Sequence, residues 1–180
     1  MNSRQGGELR LDPITAADLP HIYRGLSDPE VIAHYGISYD SLTACEAQMA
    51  WYADLVRQGT GGWFLIRSQH TGLPMGAIGY NDADPQHRKA ELGYWLYPEY
   101  WGKGVMGRAL PLFLTHFYGT TTLHRLQALV EEPNIASACV LLGAGFRYEG
   151  TARECEWKGN QFISLQHYAL LRSDQPSANA

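Results

Sequence analysis

The stretch Glu91-Leu92-Gly93-Tyr94-Trp95-Leu96-Tyr97-Pro98-Glu99-Tyr100-Trp101-Gly102-Lys103-Gly104-Val105-Met106-Gly107-Arg108 restricts the fold of this chain more than any other. A β-like run gives way to a glycine-rich loop, and a helical apolar pattern follows as far as Phe117. Strand, tight loop and helix N-terminus in that order make an anion site. Glycines let backbone N–H groups approach closely, and the first turn of a helix adds unpaired donors and a positive dipole end. A phosphate or pyrophosphate is the natural guest. Gly102 to Gly107 also matches G-x-G-x-x-G, the dinucleotide fingerprint. However, Tyr97 to Trp101 separate it from the strand, and no acidic residue follows about 20 positions on. A plain helix cap is the structural alternative.

The flanking sequence reads as one α+β (mixed α/β) domain with a central sheet. Leu9 to Leu11 form a first strand. Thr15 and Asp18 have capping-box spacing and open a short helix to about Leu26, which Asp28-Pro29 breaks. Leu42, Cys45, Met49, Tyr52 and Val56 recur at helical spacing up to Gly59. Three strands follow as a meander: Trp63 to Arg67, Leu73 to Tyr80 and Lys89 to Leu96. Pro74 and the glycines of the second suggest an edge or a bulge. Then come a helix from Gly102 to Phe117, a strand from Arg125 to Val130 and a helix from Asn134 to Gly143. Two last strands, Tyr148 to Trp157 and Phe162 to Leu171, turn at Lys158-Gly159-Asn160. Residues 9–172 form the domain, with a flexible N-terminus (1–8) and tail (173–180).

At 180 residues the chain is long enough to bury a core without staples. Its net charge of -4 argues against a surface that grips nucleic acid or anionic lipid. Met1 to Glu8 is polar and no long apolar run appears, so neither a signal peptide nor a membrane span is expected. Cys45, Cys139 and Cys155 form no CxxC pair, which fits a reducing cytoplasm, and the scattered histidines suggest no metal site.

The glycine loop resembles the acetyl-CoA-binding motif of the GCN5-related N-acetyltransferase superfamily, (Q/R)xxGx(G/A), with Trp101 at the Gln/Arg position and Met106 at the last. Leu9-Arg10-Leu11 with Thr15 to Leu19, the strand Glu91 to Leu96, and Asn134-Ile135-Ala136-Ser137 with Leu141 to Phe146 resemble other segments of that family. The similarity runs from about Leu9 to Leu171. It is closest to the branch of ribosomal-protein alanine acetyltransferases and spermidine acetyltransferase. It implies a sheet splayed at the cofactor cleft, acetyl-CoA as co-substrate and a small-molecule or peptide amine as acceptor. A homodimer is common among similar proteins.

The resemblance also implies site roles. Backbone groups of Trp101, Gly102, Lys103, Gly104, Val105, Met106 and Gly107 would hold the pyrophosphate. Leu96 and Tyr97, with Asn134, would fix the pantetheine arm. Ser137 would donate a proton to the departing thiolate. Much of the superfamily has a tyrosine acid where this chain has Leu141. An amine must lose its proton to attack, so a base is needed; Glu156 is favoured and Glu91 is second. His34, Tyr35, Trp51 and Trp63 are candidates to line the acceptor site, under the two N-terminal helices. Two other readings stay open here: a non-catalytic acyl-CoA-binding sensor and a dinucleotide-binding oxidoreductase.

Overall fold

Period-two alternation divides the side chains of the central strands between two faces, and helices cover both. The computed structural model describes residues 8–175. Most of the two expected flexible ends, residues 1–7 and 176–180, lie outside it. The first half comprises β1 (Leu9–Pro13), α1 (Leu19–Leu26), α2 (Pro29–Ile32), α3 (Leu42–Gln58), β2 (Gly62–Ser68), β3 (Pro74–Asp84) and β4 (Lys89–Leu96). The second comprises α4 (Val105–Thr120), β5 (Arg125–Glu131), α5 (Ile135–Gly143), β6 (Arg147–Lys158) and β7 (Gln161–Leu171). The strands form one sheet in the order β1-β2-β3-β4-β5-β7-β6. The β4–β5 pair is parallel and every other described pair is antiparallel. The mixed α/β expectation is thereby met.

On one face Ala90, Leu92, Leu126, Val130, Tyr168 and Leu170 pack against α4 and α5. On the other, Leu65, Ala77 and Trp95 pack against Ile22 and Leu26 of α1 and Cys45, Tyr52 and Leu55 of α3. Thr15 and Asp18 cap as their spacing implied. The Asp18 carboxylate accepts from Thr15 N at 2.9 Å and Thr15 Oγ1 at 3.0 Å. Its other oxygen takes Arg67 Nη2 at 2.8 Å, so the cap also ties α1 to the sheet.

Several local expectations shift. The buried stripe of α3 is Cys45, Gln48, Tyr52 and Leu55, whereas Leu42 and Val56 are exposed. Gln48 holds an inner position because its Oε1 accepts from the Tyr39 hydroxyl at 2.8 Å. β3 is not an edge strand, since it pairs with β2 and β4; Pro74 sits at its first residue, beside the register shift in β2 at Ile66/Arg67. Asp28-Pro29 breaks α1, and Pro29 then starts α2. α4 begins at Val105 rather than Gly102, because Gly102 and Gly104 both take φ +67. Gly159 and Asn160, both at positive φ, make the two-residue turn of the last hairpin. The expected tail starts inside an ordered turn: Asp174 accepts from Leu171 N and Arg147 Nη2, each at 3.0 Å.

Gly79 is required by close approach. A Cβ there would lie 2.4 Å from Trp63 Cγ and 2.6 Å from the Gly62 carbonyl oxygen. Gly79→Ala is expected to lower the unfolding free energy by about 1–3 kcal/mol in urea titration. Gly119→Ala, with open space on the last turn of α4, should raise it by about 0.5 kcal/mol.

Candidate active site

β4 and β5 share only the register pairs Lys89↔Arg125, Ala90↔Leu126 and Glu91↔Gln127. Beyond them the two strands diverge, β4 to Leu96 and β5 to Glu131. A cleft of about 630 Å³ occupies the gap, within the range of small-molecule sites. Trp101, Gly102, Gly104 to Gly107 and the start of α5 line one side; Glu30, His34 and Tyr35 line the other. Tyr94, Trp95 and Leu96 lie between. The cleft therefore opens toward both faces of the sheet.

The loop side suits an anion. The N-cap of α4 is Gly104, which brings no side-chain acceptor to the first-turn N–H groups. Gly102 and Lys103 donate to no backbone carbonyl among the described residues. Trp101 differs from its expected role. Its N–H is spent on Pro98 O at 3.0 Å, and its half-exposed indole lines the cleft, with Nε1 donating to Leu96 O at 2.9 Å. Lys103 does not line the cleft. Arg108, which sequence reasoning passed over, donates to Lys103 O at 3.4 Å and sets a cation beneath the loop. A basic residue one position past the last glycine was the available signal. These donors fit the pyrophosphate of acetyl-CoA. The G-x-G-x-x-G spelling lies after a 3-10 turn, Pro98–Tyr100, not directly after a parallel strand as the dinucleotide reading requires.

Leu96 is at the cleft, but Tyr97 is not. Tyr97 is buried under α1, its N–H bonds Met75 O at 2.9 Å and its hydroxyl bonds His21 O at 2.8 Å. Its backbone donor is thus unavailable to a pantetheine arm. Asn134 lines the cleft as the N-cap of α5, and its Oδ1 accepts from Ser137 N at 3.2 Å. Ser137 lines the cleft as well, with its Oγ 2.7 Å from the Tyr94 hydroxyl. Leu141 is wholly buried among the core residues of α4 and α5. Tyr94 was missed because strand alternation made it look like core. Burial pushes its phenol up to about 12.

On the opposite side the structure brings His34 and Tyr35 to the cleft but not Trp51 or Trp63. Trp63 is buried over Gly79 and Gly93, and Trp51 packs on it with ring centroids 6.3 Å apart. Glu91 and Glu156 do not line the cleft itself. Glu91 is half-buried on the Trp95 face of β4, and burial raises its carboxyl above the usual range, helped by Asp82 and Glu156 nearby. Glu156 is exposed and follows a bulge in β6 at Ala152/Glu156. Among the described residues no group of three His, Cys, Asp or Glu side chains is placed to hold a metal ion, and no helix is long and apolar enough to cross a membrane.

One ionic cluster borders the cleft at His34. Glu131 at the end of β5 accepts from His34 Nδ1 at 3.0 Å and from Lys158 Nζ, and Lys158 also donates to Ala33 O at 2.8 Å. Burial opposes the Glu131 charge, but the bonds from Lys158 and His34 outweigh it and hold the carboxyl below its ordinary value of 4.5. A carboxyl depressed in the folded state stabilises the fold above its unfolded pKa, and that gain is lost as pH falls through the folded value. Glu131→Gln should therefore lower the melting temperature at pH 7. The gap to the parent should narrow as pH falls below 4.5 in paired thermal melts.

Residues 8–147 match the family model described as an acetyltransferase (GNAT) domain. The chain is 27% identical to the uncharacterized N-acetyltransferase YoaA of Bacillus subtilis, over 91% of this chain and 93% of that one. It is 29% identical to the ribosomal-protein-serine acetyltransferase of Escherichia coli, over 67% of this chain and 66% of that one. Its fold superposes on spermidine N-acetyltransferase from Vibrio cholerae, solved with CoA and spermine, with TM-score 0.83 at 20% identity, covering 96% and 98% of the two chains. With a glycine loop, a splayed sheet and an Asn134/Ser137 helix start at one cleft, this chain belongs to the GNAT family and is an acetyl-CoA-dependent N-acetyltransferase.

Proposed function

We propose that the acceptor is the α-amine of a peptide or protein N-terminus. The observation that carries this is the pairing of half-buried Glu91, its carboxyl raised, with Glu156 on the acceptor face. An α-amine loses its proton near 7.7–8.0, whereas a lysine-like amine holds it to about 10.4. A carboxylate base, even a strengthened one, deprotonates the first far more readily. Similarity to the ribosomal-protein-serine enzyme of Escherichia coli supports the same reading. A polyamine acceptor is the second reading, favoured by the like-charged trio Asp82, Glu91 and Glu156 and by similarity to the spermidine N(1)-acetyltransferase of Escherichia coli.

Acetyl-CoA supplies the acyl group as a thioester. The N–H groups of Gly102 to Gly107 take its pyrophosphate, and Asn134 and Leu96 direct the arm toward the gap between β4 and β5. Glu156, with Glu91 behind it, receives the amine proton through water. Ser137 meets the departing sulfur from α5. His34 and Tyr35 flank the incoming amine. The three cysteines, none of them in a disulfide, support action in the cytoplasm. Trp157 and Phe162, exposed and edge-to-face at 4.8 Å on the last hairpin, support self-association as a homodimer.

A thiol-release assay should show turnover with free N-terminal peptides, little with N-terminally blocked peptides that carry a lysine, and less with spermidine. Turnover with spermidine alone would select the second reading. CoA binding without turnover of any amine would make the chain a sensor. Glu156→Gln should cut kcat by about 100-fold and leave CoA affinity unchanged.

A further inference from the structure

α5 brings one hydroxyl to the cleft, that of Ser137. The position where related enzymes carry a tyrosine is Leu141, sealed in the core. A phenol nonetheless reaches Ser137 from the other wall. Tyr94 lies on β4 beyond its last pairing with β5, on the face shared with Leu92 and Leu96. Its hydroxyl is 2.7 Å from Ser137 Oγ and 3.3 Å from Ser137 O. Ser137 is thus held twice, by Asn134 at its N–H and by Tyr94 at its hydroxyl.

We propose that Tyr94 is the positioning residue that aims Ser137 at the thioester sulfur: its phenol O–H donates to Ser137 Oγ and leaves the serine proton free to donate to sulfur. This deepens the acetyl-transfer reading of the cleft and rests on Ser137 meeting the leaving group. A serine hydroxyl has one proton. If Ser137 spent it on Tyr94, nothing would remain for the sulfur. Negative charge arriving on sulfur favours the opposite order, in which each hydroxyl polarises the next. Burial keeps the phenol protonated, so it stays a donor across the working range. Its titratable neighbour is Tyr168 on β7, and the other titratable side chains lining the cleft are Glu30, His34, Tyr35 and Tyr100.

No proton need leave Tyr94. The C–N bond forms and the C–S bond breaks, with its electron pair going to sulfur. The amine proton leaves toward the acceptor-face carboxylates. The sulfur takes its own proton from water after release.

The test compares Tyr94→Phe, Ser137→Ala and the double variant, first by calorimetric affinity for CoA and for S-methyl-CoA from pH 6 to 9.5. In the parent, CoA affinity should rise with pH as the bound thiolate gains its donor. S-methyl-CoA carries the same phosphates and should show no such rise. Each single variant should flatten the CoA curve while binding S-methyl-CoA normally, which also shows an intact cleft. In steady state, Tyr94→Phe should lower kcat about 10–100-fold with KM for acetyl-CoA unchanged. The double variant should be no worse than Ser137→Ala, because the two act as one unit. Installing 3-fluorotyrosine at position 94, which keeps the hydroxyl, should restore both readouts. A Tyr94→Phe enzyme with parental kcat and a parental rise in CoA affinity overturns the proposal, as do losses that multiply in the double variant. If the parent acetylates no amine, the acetyl-transfer reading fails, and the CoA affinity curves still decide the role of Tyr94.

Discussion

Every functional feature of this chain depends on β4 and β5 ceasing to share hydrogen bonds after Glu91 and Gln127. Parallel strands that separate leave backbone groups with no partner in the sheet, and such groups must find another acceptor, donor or water. Here the loss is localised. Three register pairs anchor the strands, and antiparallel neighbours hold each of them from the outside. The gap therefore stays open without unravelling the sheet.

The gap also separates two chemical environments. The Leu92 face meets α4 and α5, whose N-terminal ends supply uncharged donors, one hydroxyl and a capped turn. The Trp95 face supplies carboxylates and aromatic rings. The anionic co-substrate and an amine acceptor can then approach from opposite faces, with the strands as partition. A net charge of -4 is no obstacle to this, because the backbone amides of the glycine loop can meet an anion at short range.

Distant segments close the site. Lys158 at the hairpin tip, Glu131 at the end of β5 and His34 after α2 are far apart in sequence, yet they meet in one cluster. It ties the last hairpin to the connector that carries His34 and Tyr35.

The sequence by itself determined the order of the strands and longer helices, the cap at Asp18, the glycine loop and the Asn134/Ser137 helix start. Each is a local property, encoded in glycine φ angles, cap chemistry and periodicity within a few residues. What only the tertiary structure decided is which side chains share a space. The Leu42 and Val56 stripe rotated to Gln48 and Leu55 because α3 packs by what lies beneath it. Tyr97, Trp51 and Trp63 went to the core, where α1, α3 and the sheet needed volume. Tyr94, outwardly one more apolar strand residue, met Ser137 across a partition that exists only because two strands part. Hydrogen bonds of that kind depend on positions more than 40 residues apart, and no local pattern carries that distance.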